Sequence, residues 1–185
     1  MKKVLIVVDY QKDFVDGSLA CGQDALDIEQ GIYDKVQEYL KNGDQIIFTK
    51  DAHYANEYFD THEHKLYPQH CLIDKNHLDT EGVNLYGKLL EFNEDDENER
   101  WSILYKPSNM AIGIEDYIDQ HSNLDIEICG LATDLCVMKT ALYIVDFYNS
   151  KNVVVHVNSK LCASYDRSKH DRALEVMKDN GIIIL

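Results

Sequence analysis

"ICGLATDLCVMKTAL", residues 128–142, is the stretch whose reading decides the fold. It opens as an apolar run, turns at Gly130, presents a threonine, an aspartate and a cysteine, and then resumes a helical spacing. A strand that hands over to a helix in this way is the joint of an α/β protein, and here a cysteine sits on the joint. Working outward, "KVLIVVDY" (3–10) is a short, continuous β-branched run, the pattern of a strand buried on both faces. "ALDIEQGIYDKVQEYLKNG" (25–43) sets Ile28, Ile32, Val36 and Leu40 on one helical face and stops at Asn42-Gly43. "QIIFTKDAH" (45–53), "WSILYKP" (101–107), "LDIEICG" (124–130), "NVVVHVNS" (152–159) and the closing "IIIL" (182–185) read as strands. "ATDLCVMKTALYIVDFYNS" (132–150) and "SKHDRALEVMKDNG" (168–181) read as helices. Strands alternating with helices predict a three-layer α/β/α fold with a mostly parallel central sheet. No repeat, linker or composition break divides the chain, so residues 1–185 are expected to form a single domain.

Composition narrows the function. The chain is 45% hydrophobic and 28% charged, which is the balance of a folded globular protein. A formal charge of -15 argues against binding a phosphate backbone and against an anionic membrane as partner. The basic start "MKK" is followed by too short an apolar stretch for a signal peptide. Five cysteines (21, 71, 129, 136 and 162) are odd in number and scattered, which fits reduced thiols and a cytoplasmic location. The acidic run "EFNEDDENER" (91–100) reads as a solvated segment.

In sheets of this kind, sites form outside the carboxyl ends of the strands. Asp9, Asp51 with His53, Lys106, and the Gly130–Cys136 turn each follow a predicted strand. A cysteine in a first helical turn is expected to have a lowered pKa and to lie beside backbone N–H groups that hold an oxyanion. The plainer reading, that a cysteine fills space, is kept for Cys21, Cys71, Cys129 and Cys162. Asp9 and Lys106 together supply an acid–base group and a charge that holds carboxylate and thiol together. The loop "DAHYANEYFDTHEHKLYPQH" (51–70) carries Asp51, His53, His62, Glu63, His64 and His70. Imidazoles with carboxylates suit Zn²⁺, Fe²⁺ or Mn²⁺, but composition alone does not say which of them bind.

These residues resemble a known family. "LIVVDYQKDFVDGSL" (5–19), "DAHYANEYFD" with "KLYPQHC" (51–71), and "GLATDLCV" (130–137) are similar to motifs of the isochorismatase-like cysteine hydrolases, and within them of the nicotinamidases (pyrazinamidases). The resemblance implies the isochorismatase-like hydrolase fold and hydrolysis of nicotinamide to nicotinate and ammonia. It implies Cys136 as nucleophile, Asp9 as general base and Lys106 as third member, with Lys88 and Lys160 as other lysines near element ends. The oxyanion would be held by backbone N–H groups of Ala132 and Cys136, and the peptide before Ala132 would be cis. Phe14 and Tyr67 would clamp the substrate ring. Asp51, His53, His70 and Glu63 would bind one divalent metal, zinc ahead of iron or manganese, with His62 and His64 as alternatives to Glu63. The segment after Lys106, "PSNMAIGIED", departs from the aromatic residue often found there. The implied partner is a small molecule, and a homo-oligomer is left open. A sibling amidase acting on a carbamoyl or ureido compound, or a non-catalytic metal or thiol sensor on the same fold, are the competing readings.

Overall fold

In the computed structural model, which describes residues 1–73, 81–96, 98–118, 123–149 and 152–185, the first strand, β1 (Lys2–Val8), runs through the middle of a sheet. Val4 to Val8 are all fully buried. A central parallel strand is covered on both faces, which is why its sequence is an unbroken aliphatic run instead of an alternation. The chain continues through α1 (Lys12–Val15), α2 (Gln23–Asp27) and α3 (Glu29–Asn42) to β2 (Gln45–Asp51). A two-residue strand β3 (His53–Tyr54), the turn of helix α4 (Ala55–Tyr58) and β4 (Leu72–Ile73) form an outlying loop, in which β3 pairs with β4. Then come β5 (Trp101–Lys106), β6 (Leu124–Leu131), α5 (Met138–Phe147), β7 (Val153–Ala163), α6 (Arg167–Asp179) and β8 (Ile183–Ile184).

The central sheet has the order β5-β2-β1-β6-β7-β8, and every pairing in it is parallel. The chain therefore winds outward from β1 in one direction and from β6 in the other. Right-handed crossovers run in opposite directions put α3 on one face and α5 with α6 on the other. The switch between the two directions falls between β1 and β6, where an open α/β sheet leaves a crevice at its carboxyl edge. Asp9 and the turn after Leu131 flank it.

Four boundaries differ from the sequence reading. The helix expected over 25–43 is broken at Ile28, where the buried Tyr10 hydroxyl donates to the Ala25 carbonyl at 2.5 Å. The helix expected from 132 begins as a π-helical turn, Thr133–Val137, before α5, and Ser150 of that stretch lies outside the described residues. The strand expected to end at 159 runs on to Ala163, so that Cys162 and Ala163 pair with Gly130 and Leu131 beyond an irregularity after Ile128. The last strand is confined to Ile183–Ile184. Glu97 of the acidic run also lies outside the described residues.

Gly130 explains that irregularity. Its φ is +119°, and a Cβ there would run into the Val8 carbonyl of β1. Only glycine lets β6 approach β1 this closely at the point where both strands end. All five cysteines are free. Among the described residues no helix is long and apolar enough to cross a membrane.

Candidate active site

The register of the sheet sets the site. Val8 pairs with Thr49 and with Gly130, and Asp51 pairs with Lys106, so the ends of four neighbouring strands stop at one level. Asp9, one residue beyond β1, adopts a left-handed φ of +46°, a conformation that aspartate tolerates better than most residues. Its carboxylate is fully buried and fully engaged: Oδ1 accepts from the Thr49 hydroxyl at 2.6 Å, and Oδ2 lies 2.6 Å from Lys106 Nζ. Lys106 reaches there from the end of β5, passing over the end of β2. Its ammonium also donates to Ser108 O at 2.9 Å and lies 3.7 Å from Cys136 Sγ and 3.6 Å from Asp51 Oδ1. Lys88 and Lys160, the other lysines considered, are exposed.

Cys136 sits in the π-helical turn and is 6% exposed. The peptide bond between Leu131 and Ala132 is cis, as the resemblance implied. The Ala132 carbonyl accepts from Leu135 N–H at 3.0 Å and Val137 N–H at 3.2 Å, while the intervening Cys136 N–H takes no part in that pair. Thr133 and Asp134 brace the turn. The Thr133 hydroxyl bonds to Ala163 O at 3.0 Å and to His170 Nδ1 at 2.8 Å, and Ser164 Oγ donates to the Asp134 carboxylate.

Electrostatics correct one expectation. The Cys136 thiol is not lowered: burial pushes it well above its usual value, against the pull of Lys106, and the Asp9 charge adds to the rise. Removal from water outweighs the helix-end dipole, so the resting group is a neutral thiol that needs a base. Burial also raises Asp9, against the pull of Lys106. Burial works against the Lys106 charge, but Asp9, Cys136 and Asp51 outweigh it and hold the ammonium well above the ordinary lysine range.

A second cluster adjoins this one. Asp51, His53 and His70 bring one donor atom each within 4.8 Å of one another, all three residues being buried. His53 Nε2 is 2.9 Å, and His70 Nε2 3.2 Å, from Asp51 Oδ2. Glu63, on a short 3₁₀ turn, places its two oxygens 3.8 Å from the same two nitrogens. His64 instead turns its ring to Tyr58 and Phe59, and His62 is exposed. His70 Nδ1 bonds to Pro68 O at 2.8 Å, which fixes the proton on that nitrogen and aims Nε2 inward. That Nε2 is buried without a hydrogen-bond partner. Burial opposes a charge on His70, yet Asp51 and the Pro68 carbonyl raise its pKa, so the cluster draws in positive charge. Two imidazoles with backbone-anchored Nδ1 or buried Nε2 atoms beside two carboxylates fit a divalent cation. Burial works to raise Asp51 as well, but Lys106 and the two imidazoles override it and keep the carboxylate far below the usual range.

The loop that carries these side chains is held by residues the sequence did not single out. Gln11, fully buried, donates to Asp51 O and Val83 O at 2.8 Å each and accepts from Asp51 N–H at 2.8 Å. Asp13 accepts from Cys71 N–H at 2.7 Å, next to His70. Both lie just past β1, in the segment whose "YQKDF" carried part of the resemblance, but neither alternation nor spacing signals a clamp.

Between the clusters is a narrow, nearly closed cleft of about 10 Å³, lined by Phe14, Tyr67, His70, Asn109, Ala132 and Cys136, with Leu19, Leu135 and Tyr165 closing it. The Phe14 ring packs on that of His70 at 5.4 Å between centroids. Asn109 and Tyr165 are additions that sequence reasoning missed, since a loop amide and a strand-end phenol carry no pattern. A larger depression of about 640 Å³ lies around Lys2, Gln45 and Arg100, at the opposite end of the strands, and none of the clustered groups lines it.

Comparison with known proteins bears on this arrangement. The profile of the Isochorismatase domain matches residues 3–185. A Bacillus subtilis protein described as an uncharacterized isochorismatase family protein, PncA, is 33% identical over 181 residues, covering 94% of this chain and 93% of its own. The crystal structure of a nicotinamidase/pyrazinamidase PncA from Bacillus subtilis superposes with a TM-score of 0.85 at 31% identity, over 100% of this chain and 99% of that one. A pyrazinamidase of Pyrococcus horikoshii solved in complex with zinc shares the fold, with a TM-score of 0.79 at 24% identity and coverage of 100% and 99%.

Proposed function

The chain belongs to the isochorismatase-domain family, and from that premise we propose that residues 1–185 act as one domain, a metal-dependent cysteine amidase that hydrolyses nicotinamide to nicotinate and ammonia, and that also accepts pyrazinamide. The observation that carries the reading is a buried carboxylate–ammonium pair set against a buried thiol, which itself lines one cleft with members of a His–carboxylate cluster.

Asp51, His53, Glu63 and His70 would hold a divalent ion, zinc ahead of iron or manganese, which when bound would supply a Lewis acid for the ring nitrogen of the substrate. Phe14 and Tyr67 flank the ring. Asp9 takes the Cys136 proton as sulfur attacks the carboxamide carbon, forming the C–S bond and moving the carbonyl electrons onto oxygen. The N–H groups of Ala132 and Cys136 face that oxygen; the loss of one such donor elsewhere costs about 2.7–4 kcal/mol. The C–N bond then breaks as Asp9 returns the proton to nitrogen, which leaves as ammonia. Water adds to the thioester carbon, its proton going to Asp9, and collapse breaks the C–S bond to release nicotinate and restore the thiol. Lys106 keeps its charge throughout and favours each state in which Asp9 or Cys136 is ionised.

Ammonia release from nicotinamide by the purified protein tests the reading. Release is expected from the wild type and not from Cys136→Ala, with bound metal retained in the variant. Ammonia from nicotinamide in the Cys136→Ala protein would discard the covalent route. Metal bound in both proteins with no ammonia from either would favour a binding protein on this fold.

A further inference from the structure

A primary carboxamide has two ends of nearly equal size, C=O and NH₂, and only one orientation lets the oxygen reach the N–H groups of the turn. We propose that Asn109 sets that orientation, its Oδ1 accepting a hydrogen bond from the substrate NH₂. The inference rests on the amidase reading above and names the feature by which the site selects a primary amide.

Three observations carry it. The Cys136 thiol donates to Asn109 Oδ1 at 3.6 Å, so this acceptor faces the attacking atom. Asn109 lines the cleft together with Ala132, Cys136 and the ring-flanking Phe14 and Tyr67. Its backbone position is tied to the catalytic cluster through Ser108, whose carbonyl accepts from Lys106 Nζ at 2.9 Å.

The surroundings of the sulfur then sort the three substituents of the attacked carbon. The ring lies toward Phe14 and the His–carboxylate cluster, the oxygen toward the turn, and the nitrogen toward the remaining wall. Both oxygens of Asp9 are engaged, by Thr49 and by Lys106, before it receives the thiol proton. When that proton leaves sulfur, Asn109 Oδ1 loses its donor and is left as an acceptor beside the carbon. An N–H satisfies it, whereas a carbonyl or oxyanion turned that way meets a lone pair. An acceptor on one side and backbone donors on the other therefore discriminate two isosteric groups by polarity.

The test compares nicotinamide with methyl nicotinate, which has no N–H to give, in the wild type, Asn109→Leu and Asn109→Ala. Asn109→Leu removes the acceptor at similar volume, and Asn109→Ala covers a poor fit of leucine. The ester is followed by methanol release or, where it is not turned over, by competitive inhibition of nicotinamide hydrolysis. Both variants are expected to lose about tenfold in kcat/KM for nicotinamide, the order of one net hydrogen bond. Their response to the ester should be unchanged or improved, since the lone pair that an ester oxygen meets is gone, so the amide-to-ester ratio, taken per active site, falls at least about tenfold. A ratio within twofold of the wild type in both variants overturns the role of Asn109 and leaves the amidase reading standing. A wild type that releases no ammonia from nicotinamide overturns both.

Discussion

Asp9 and Lys106 are each almost completely removed from water, and neither charge is tolerable there without the other. Lys106 opposes the rise that burial imposes on Asp9, so removing the ammonium should raise Asp9 further. In this mechanism the free enzyme needs ionised Asp9 as its base, so kcat/KM climbs with pH through the Asp9 titration, above the ordinary 3.8 of an aspartate. Lys106→Met is expected to move that acid limb to higher pH while leaving little activity. A pH profile of residual ammonia release measures it, and an unmoved limb would separate Lys106 from the base. The stability linkage runs the opposite way: a carboxylate raised in the folded state contributes below its unfolded pKa and loses that contribution as pH rises through its folded pKa. Asp9, Lys106 and Cys136 were legible in the sequence because polar or reactive groups at the ends of apolar strands are conspicuous. The direction of the thiol shift was not, because burial of Cys136 depends on walls contributed by residues far along the chain. Asn109 and Gln11 were invisible for a related reason: neutral amides in loops break no pattern.

At the scale of elements, the site depends on how closely β6 approaches β1. Gly130 meets the Val8 carbonyl where any side chain would collide, and its φ of +119° is one that L residues rarely adopt. Gly130→Ala should cost at least about 1–3 kcal/mol in backbone strain and should also push the Cys136 turn away from Asp9. Gly181→Ala is the matched control: its φ is +84°, but no atom lies within 4 Å of the added Cβ. Thermal unfolding with activity assays is expected to show both variants destabilised and only Gly130→Ala inactive. Full activity in Gly130→Ala would mean that the strand ends are not what sets the distance between carboxylate and thiol. The alternation of strands and helices was readable because β-branched runs and helical spacing are local. The break at Ile28 and the extension of β7 to Ala163 were not. They arise from Tyr10 capturing the Ala25 carbonyl and from pairing with residues beyond the irregularity in β6, contacts that no window of sequence contains.

For the whole molecule, a formal charge of -15 means that every buried carboxylate adds to an already repulsive field. Asp51 and Glu63 stand together on the cleft wall, and Glu63 is raised by its burial and then by the Asp51 charge beside it. A divalent cation held by the folded cluster would offset that repulsion and would bind only where the fold brings β2, the Glu63 turn and His70 together, so its affinity would appear as stability. At a hundredfold excess over Kd the gain is about 2.7 kcal/mol, and about 2–4 °C per kcal/mol for a chain of this size makes a shift of several degrees. Removing metal with a chelator should therefore lower Tm by that amount, and returning zinc should restore it. His53→Ala, which deletes one of the converging nitrogens, should have the lowered Tm from the start and respond to neither treatment. A wild type whose Tm ignores both chelator and zinc, with metal content verified as zero and then one, would reduce the Asp51–His53–His70 cluster to a set of ion pairs and take the metal out of the proposed chemistry.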